Sequence, residues 1–140
     1  MTQAEREQAV RDKVEECYQT AQSFYGKGYK LRRPEEIRFD INGMCAGEAW
    51  LGEWILRFNP EFLETEYKDM IEDTVPHEVA HLLAAEIHGK YVKAHGFEWG
   101  GICYMLGIRK VTRCHKYDTT AIRERKRKGL KIRETEWDLE

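Results

Sequence analysis

A chain that carries His77-Glu78-Val79-Ala80-His81 and later His95 has few folds open to it. Residues four apart stack on one face of a helix, so on a helix His77 and His81 can both aim an imidazole nitrogen at one point. Glu78 lies one step round the helix from His77, within reach of a water held by an ion but not bound to the ion itself. This spacing is HExxH, which on a helix builds a zinc hydrolase centre. Three protein ligands plus water is the open arrangement of catalytic zinc, whereas structural sites are closed by four.

HExxH fixes only three residues, and by chance it falls on ordinary helices whose histidines are plain core or surface side chains. The flanks weigh against that reading. Val75, Val79, Leu82, Leu83 and Ile87 recur at helical spacing between Ile71 and Ile87. His77 and His81 border this apolar stripe, so both are partly buried and need polar partners.

Four residues compete to complete the site: His95, His88, Glu98 and Cys45. His88 points the same way as His81, but seven helical residues carry it roughly 10 Å along the axis. A zinc–nitrogen bond is only about 2 Å long, so His88 reads as a helix-end histidine facing the C-terminal dipole. Gly89 then ends the helix, and the loop 90–94 can bring His95 back beneath it. His95 leads. Glu98 would be a carboxylate ligand from the next helix, and nothing around Cys45 resembles a thiolate metal loop. The metzincin pattern fails, because Ala84 and Ile87 stand where its glycine and third histidine belong.

The rest of the chain reads as α+β. Thr2-Gln3-Ala4-Glu5 fits a capping box, and Val10, Val14, Cys17, Ala21 and Phe24 then repeat at helical spacing, giving a first helix over 3–25 closed by Gly26 and Gly28. Pro34 precedes an alternating strand, 37–41. Segments 46–51 and 54–58 flank Gly52-Glu53 and predict a hairpin, hence a small antiparallel sheet, with Trp54, Leu56 and Phe58 on one face. Asn59-Pro60 reads as N-cap and first helical residue of a short helix to Glu64. The metal helix spans 67–88, with Pro76 kinking or restarting it. A closing helix covers 97–106, with Trp99, Ile102, Cys103 and Leu106 inward. Trp50 and Trp54 read as core residues.

One hundred and forty residues suit one domain with a modest core. No run approaches the length of a membrane span, and the polar start carries no apolar signal segment. Four cysteines without a pairing pattern read as reduced thiols, so the expected location is cytoplasmic. The net charge of −2 conceals a segregation. Residues 1–108 hold 12 basic and 19 acidic side chains, residues 109–133 hold 11 and 2, and residues 134–140 hold 4 acidic and no basic ones. The basic block contains Arg109, Lys110, Arg113, Lys116, Arg123, Arg125, Lys126, Arg127 and Lys128. Such a stretch can neutralise several phosphates in a sequence-independent, salt-sensitive way. The alternative is a solvated tail. The chain thus divides into a core, 1–108, and a basic C-terminal extension, 109–140.

The run Thr74-Val75-Pro76-His77-Glu78-Val79-Ala80-His81-Leu82-Leu83 resembles the active-site helix of the SprT-like metalloproteases, the family that includes Spartan. Ala94-His95-Gly96-Phe97-Glu98-Trp99 is similar to the family's third-ligand element. Segments 46–51 and 55–60 are similar to the strands that lead into that helix. The resemblance covers roughly residues 5–118 and is strongest to small bacterial SprT proteins. It implies a zincin-like minimal metalloprotease core, with His77, His81 and His95 holding one zinc ion and Glu78 as catalytic acid/base. It also implies a protein substrate near single-stranded or structured DNA, including protein–DNA crosslinks, as in DNA repair. In zincins an edge strand pairs with the peptide substrate, which points to 54–58 or its neighbour. Many relatives add a zinc ribbon with paired CxxC motifs. Here Cys17, Cys45, Cys103 and Cys114 are scattered singly, and Cys114-His115 resembles only the stub before that ribbon.

These readings converge on a zinc-dependent endopeptidase that is DNA-associated. The alternatives are a zinc-stabilised nucleic-acid-binding module without proteolysis and a general, DNA-independent peptidase. The oxyanion-stabilising group has three candidates: Tyr91, Arg57 and His115.

Overall fold

The computed structural model describes residues 1–26, 28, 30–108, 123, 124 and 127. The chain is α+β. Helix α1 (Gln3–Tyr25) opens on the expected capping box: the Glu5 amide donates to Thr2 Oγ1 at 3.1 Å, and the Thr2 amide donates back to Glu5 Oε1 at 2.8 Å. Its inward face is Val10, Val14, Cys17, Tyr18 and Ala21. Phe24, expected to continue that stripe, is 69% exposed, because the last turn of α1 runs past the end of the core.

Strands β1 (Glu36–Arg38), β2 (Gly47–Trp50) and β3 (Ile55–Phe58) form one sheet in the order β1-β3-β2. The hairpin β2–β3 is antiparallel, as expected, with Gly47 opposite Phe58 and Trp50 opposite Ile55. The sheet as a whole is not antiparallel, since β1 pairs with β3 in parallel. Alternating residues identify a strand but not its neighbour's direction. That direction is decided by the 39–46 connection, which carries the buried Ile41 and Cys45 past the sheet before β2 begins. Because β3 is central, all four of its residues are buried.

Trp54 leaves the expected strand. It closes the turn between β2 and β3 with φ 61°, its amide donating to Trp50 O at 2.8 Å. It remains a core residue, with its indole N–H on Arg32 O at 3.0 Å and the Arg32 guanidinium 4.9 Å from its ring.

Asn59 caps α2 (Pro60–Thr65) through its side chain to the Glu61 amide, and its Nδ2 donates to the carbonyls of Gly43 and Cys45. One buried side chain therefore ties a helix start to the segment entering β2. A short α3 (Tyr67–Asp69) is followed by a π-helical turn, Met70–Thr74, and then α4 (Val75–His88). The expected single helix 67–88 is thus restarted at Pro76. That residue has no N–H to give and its ring crowds the carbonyl four residues back. The chain widens there, and the Val75 N–H reaches Met70 O, five residues earlier.

Helix α4 buries Val75, Val79, Leu82 and Leu83 completely, between α1, β2 and α5 (Phe97–Met105). Each of these side chains contributes about 1.5–3 kcal/mol of transfer free energy. No helix among the described residues is long and apolar enough to cross a membrane. Of the extension 109–140, only Arg123, Glu124 and Arg127 are described, all helical.

Candidate metal centre

Helix α4 presents His77 and His81 on one face, their ring centroids 5.1 Å apart. It ends at His88, which is exposed and outside the site. Gly89 turns the chain with φ 97°, a conformation that penalises a β-carbon. Two tight turns follow, Val92 N–H to Gly89 O and Gly96 N–H to Lys93 O. They return the chain so that His95 sits 5.3 Å from His77 and 4.7 Å from His81, ring to ring. His95 has φ 58°, one of two non-glycine residues with positive φ among those described. Such backbone costs about 1–2 kcal/mol and clusters at functional sites.

The donor set fits a small, nitrogen-preferring cation. One ligating atom from each of His77, His81 and His95 lies within 4.8 Å of the others, and these are the grouped metal-binding side chains among the described residues. The Nε2 atoms of His81 and His95 are 3.1 Å apart. Bonds of about 2.05 Å in a tetrahedron place neighbouring nitrogens about 3.3 Å apart. Glu98 is exposed, and the Cys45 thiol donates to Gly47 O at 3.3 Å, so neither belongs to this group.

Trp99 contributes more than its expected core role. Its ring lies 4.7, 5.3 and 4.8 Å from those of His77, His81 and His95, almost parallel to His81 and edge-on to the other two. Its indole N–H donates to His77 O at 3.4 Å. One buried side chain therefore braces all three imidazoles. The signal in the sequence was the apolar spacing of α5, in which Trp99 recurs with Ile102 and Cys103 on the buried face.

Glu78 is completely buried, with Oε2 3.8 Å from His77 Nε2. Its stem lies against β2, where Gly47 has no side chain. Since neighbouring strand residues face opposite sides, Glu48 and its cross-strand partner Arg57 lie on the far face of the sheet. There Arg57 bonds to Glu48 Oε1 at 2.9 Å and Asp40 Oδ1 at 2.8 Å, with Trp50 4.6 Å from its guanidinium. Arg57 is therefore committed to a structural network away from Glu78. Replacing Arg57 with Met leaves Glu48, which is 0% exposed, without its counter-charge. A loss of about 3–5 kcal/mol is expected, read as a lower midpoint in urea unfolding.

Of the other oxyanion candidates, Tyr91 is 89% exposed and His115 lies outside the described residues. The three described cysteines are buried and form no disulfide among the described residues. Burial pushes the Cys17 thiol up to about 12 and raises Cys103 as well, so neither is a ready nucleophile or ligand. In the basic block, Arg123 and Arg127 are exposed, and Arg127 pairs with Glu124. Arg109, Lys110, Arg113, Lys116, Arg125, Lys126 and Lys128 lie outside the described residues.

Comparison with known proteins gives a consistent picture. The sequence model of the SprT-like family matches residues 14–125. Protein SprT of Pseudomonas savastanoi pv. phaseolicola is 41% identical over 110 residues, covering 77% of this chain and 64% of that protein. Protein SprT of Pseudomonas putida is 40% identical over 111 residues, covering 78% and 65%. The chain thus spans just under two thirds of the length of these curated relatives. No solved structure matches.

Proposed function

The chain belongs to the SprT-like family, and on that premise we propose that it is a zinc-dependent endopeptidase acting on protein held at DNA. The observation that carries this reading is the triad itself: three imidazoles converging within 4.8 Å, beside a fully buried carboxylate. Three ligands leave one coordination position open, and a purely structural site has no use for the carboxylate.

Zinc bound there supplies Lewis-acid polarisation of the scissile carbonyl and lowers the pKa of water to about 7. The chain's own residues do the rest. His77 and His81 would hold the ion from a rigid helix and His95 from the returning loop, while Trp99 keeps the rings in place. Glu78 takes a proton from the attacking water on Oε2 and delivers it to the departing amine nitrogen. Strand β2 is the sheet edge beside α4, whereas β3 is enclosed between two strands. An extended substrate would therefore add to β2, by main-chain pairing with weak sequence preference.

The basic block 109–133 supports DNA association. Its charge would hold the enzyme near DNA-bound or DNA-crosslinked protein and raise the local substrate concentration. The test is cleavage of a loosely folded protein, with and without single-stranded DNA, at about 50 and 200 mM salt. The expected result is cleavage stimulated by DNA and suppressed by salt. Equal rates with and without DNA would identify a general peptidase, and DNA binding without cleavage a non-proteolytic module.

A further inference from the structure

Gly47 is the residue of β2 that faces Glu78. A β-carbon built on it would lie 3.1 Å from Glu78 Cγ, 3.2 Å from Phe58 Cδ1 and 3.2 Å from Thr74 Cγ2. All three distances are shorter than ordinary carbon–carbon contact. Gly47 lies in a regular strand and its φ is not positive, so its backbone does not demand glycine. What demands it is the space already filled by the Glu78 stem.

Two of the three neighbours are poor at yielding. All three side chains are 0% exposed, but Phe58 is a rigid ring on the central strand and Thr74 a β-branched side chain, stiff at χ1, in the π-helical turn. Glu78 ends in a carboxylate on a flexible stem, so it is the group that moves. The strand is also held from outside, because the Cys45 thiol donates to Gly47 O and the Asn59 amide donates to Ala46 O at 2.9 Å. It cannot simply back away.

We propose that Gly47 is a positioning residue for Glu78: the missing side chain on β2 sets how far the carboxylate reaches towards the histidine triad. This rests on Glu78 being the acid/base. A methyl group at position 47 pushes Glu78 out of line by a few tenths of an ångström and leaves the imidazoles where they are. A misplacement of about 1 Å can cost about 100-fold in rate.

The experiment is Gly47→Ala, alone and combined with Glu78→Ala. Alone, it should bind zinc with parental affinity and lose at least about tenfold in kcat with KM within about twofold. The metal-free proteins provide a second readout that does not depend on activity. Gly47→Ala should lower the melting temperature of the parent by more than that of Glu78→Ala, whose shortened side chain removes the nearest of the three close contacts. Parental kcat in Gly47→Ala overturns the proposal. So does an equal melting-temperature loss in both backgrounds, a measurement that stands even if the single variant is too unstable to assay. If Glu78→Gln cleaves like the parent, the acid/base reading fails, while the thermal coupling between positions 47 and 78 remains measurable.

Discussion

Glu78→Gln is expected to bind zinc as the parent does and to lose cleavage by about 10²–10⁴-fold, the range contributed by a positioned acid/base. The substitution is nearly isosteric. Its stem fits the same space against Gly47, and the three imidazoles keep their places. What changes is that an amide cannot take up the proton of the attacking water and release it to the amine. Metal content and single-turnover cleavage, measured on one preparation, separate the two effects. Parental cleavage in a fully metallated variant would mean that Glu78 is not the base. Loss of metal together with activity would mean that it supports the ion instead.

His95→Ala is expected to lose zinc while the fold persists. His95 lies in the returning loop rather than in α4, so its removal leaves the packed face of Val75, Val79, Leu82 and Leu83 intact. Losing a direct ligand should weaken affinity well beyond the roughly 10–100-fold that loss of a supporting partner costs. The readout is thermal. At a zinc concentration of 1,000 times the Kd, the parent gains about 4 kcal/mol from binding, and the variant should gain almost nothing at that concentration. A variant that still rises in melting temperature with zinc would transfer the third position to another residue.

Much of this was legible along the chain because it is local. The capping box at Thr2, the Asn59 cap, the end of α4 at His88 and the alternating β3 all depend on residues a few positions apart. The same holds for His77 and His81, whose spacing is a property of any helix. The discrepancies are non-local. The partner of β1 depends on where a connecting segment runs, and Phe24 is exposed because α1 outlasts the core beneath it. Trp54 alternates correctly with Leu56 and Phe58, yet the hairpin needs it as a turn residue.

The candidate site divides along the same line. His77-Glu78-Val79-Ala80-His81 by itself determined a helix with two imidazoles on one face and a carboxylate beside them, since helical geometry repeats wherever the segment is placed. Only the tertiary structure decided that His95 meets that face, that Trp99 braces all three rings, that Arg57 is turned to the far side of the sheet, and that Gly47 bounds Glu78. Those relations arise from close packing between elements distant in the chain, where the shape of one surface sets the room left for another.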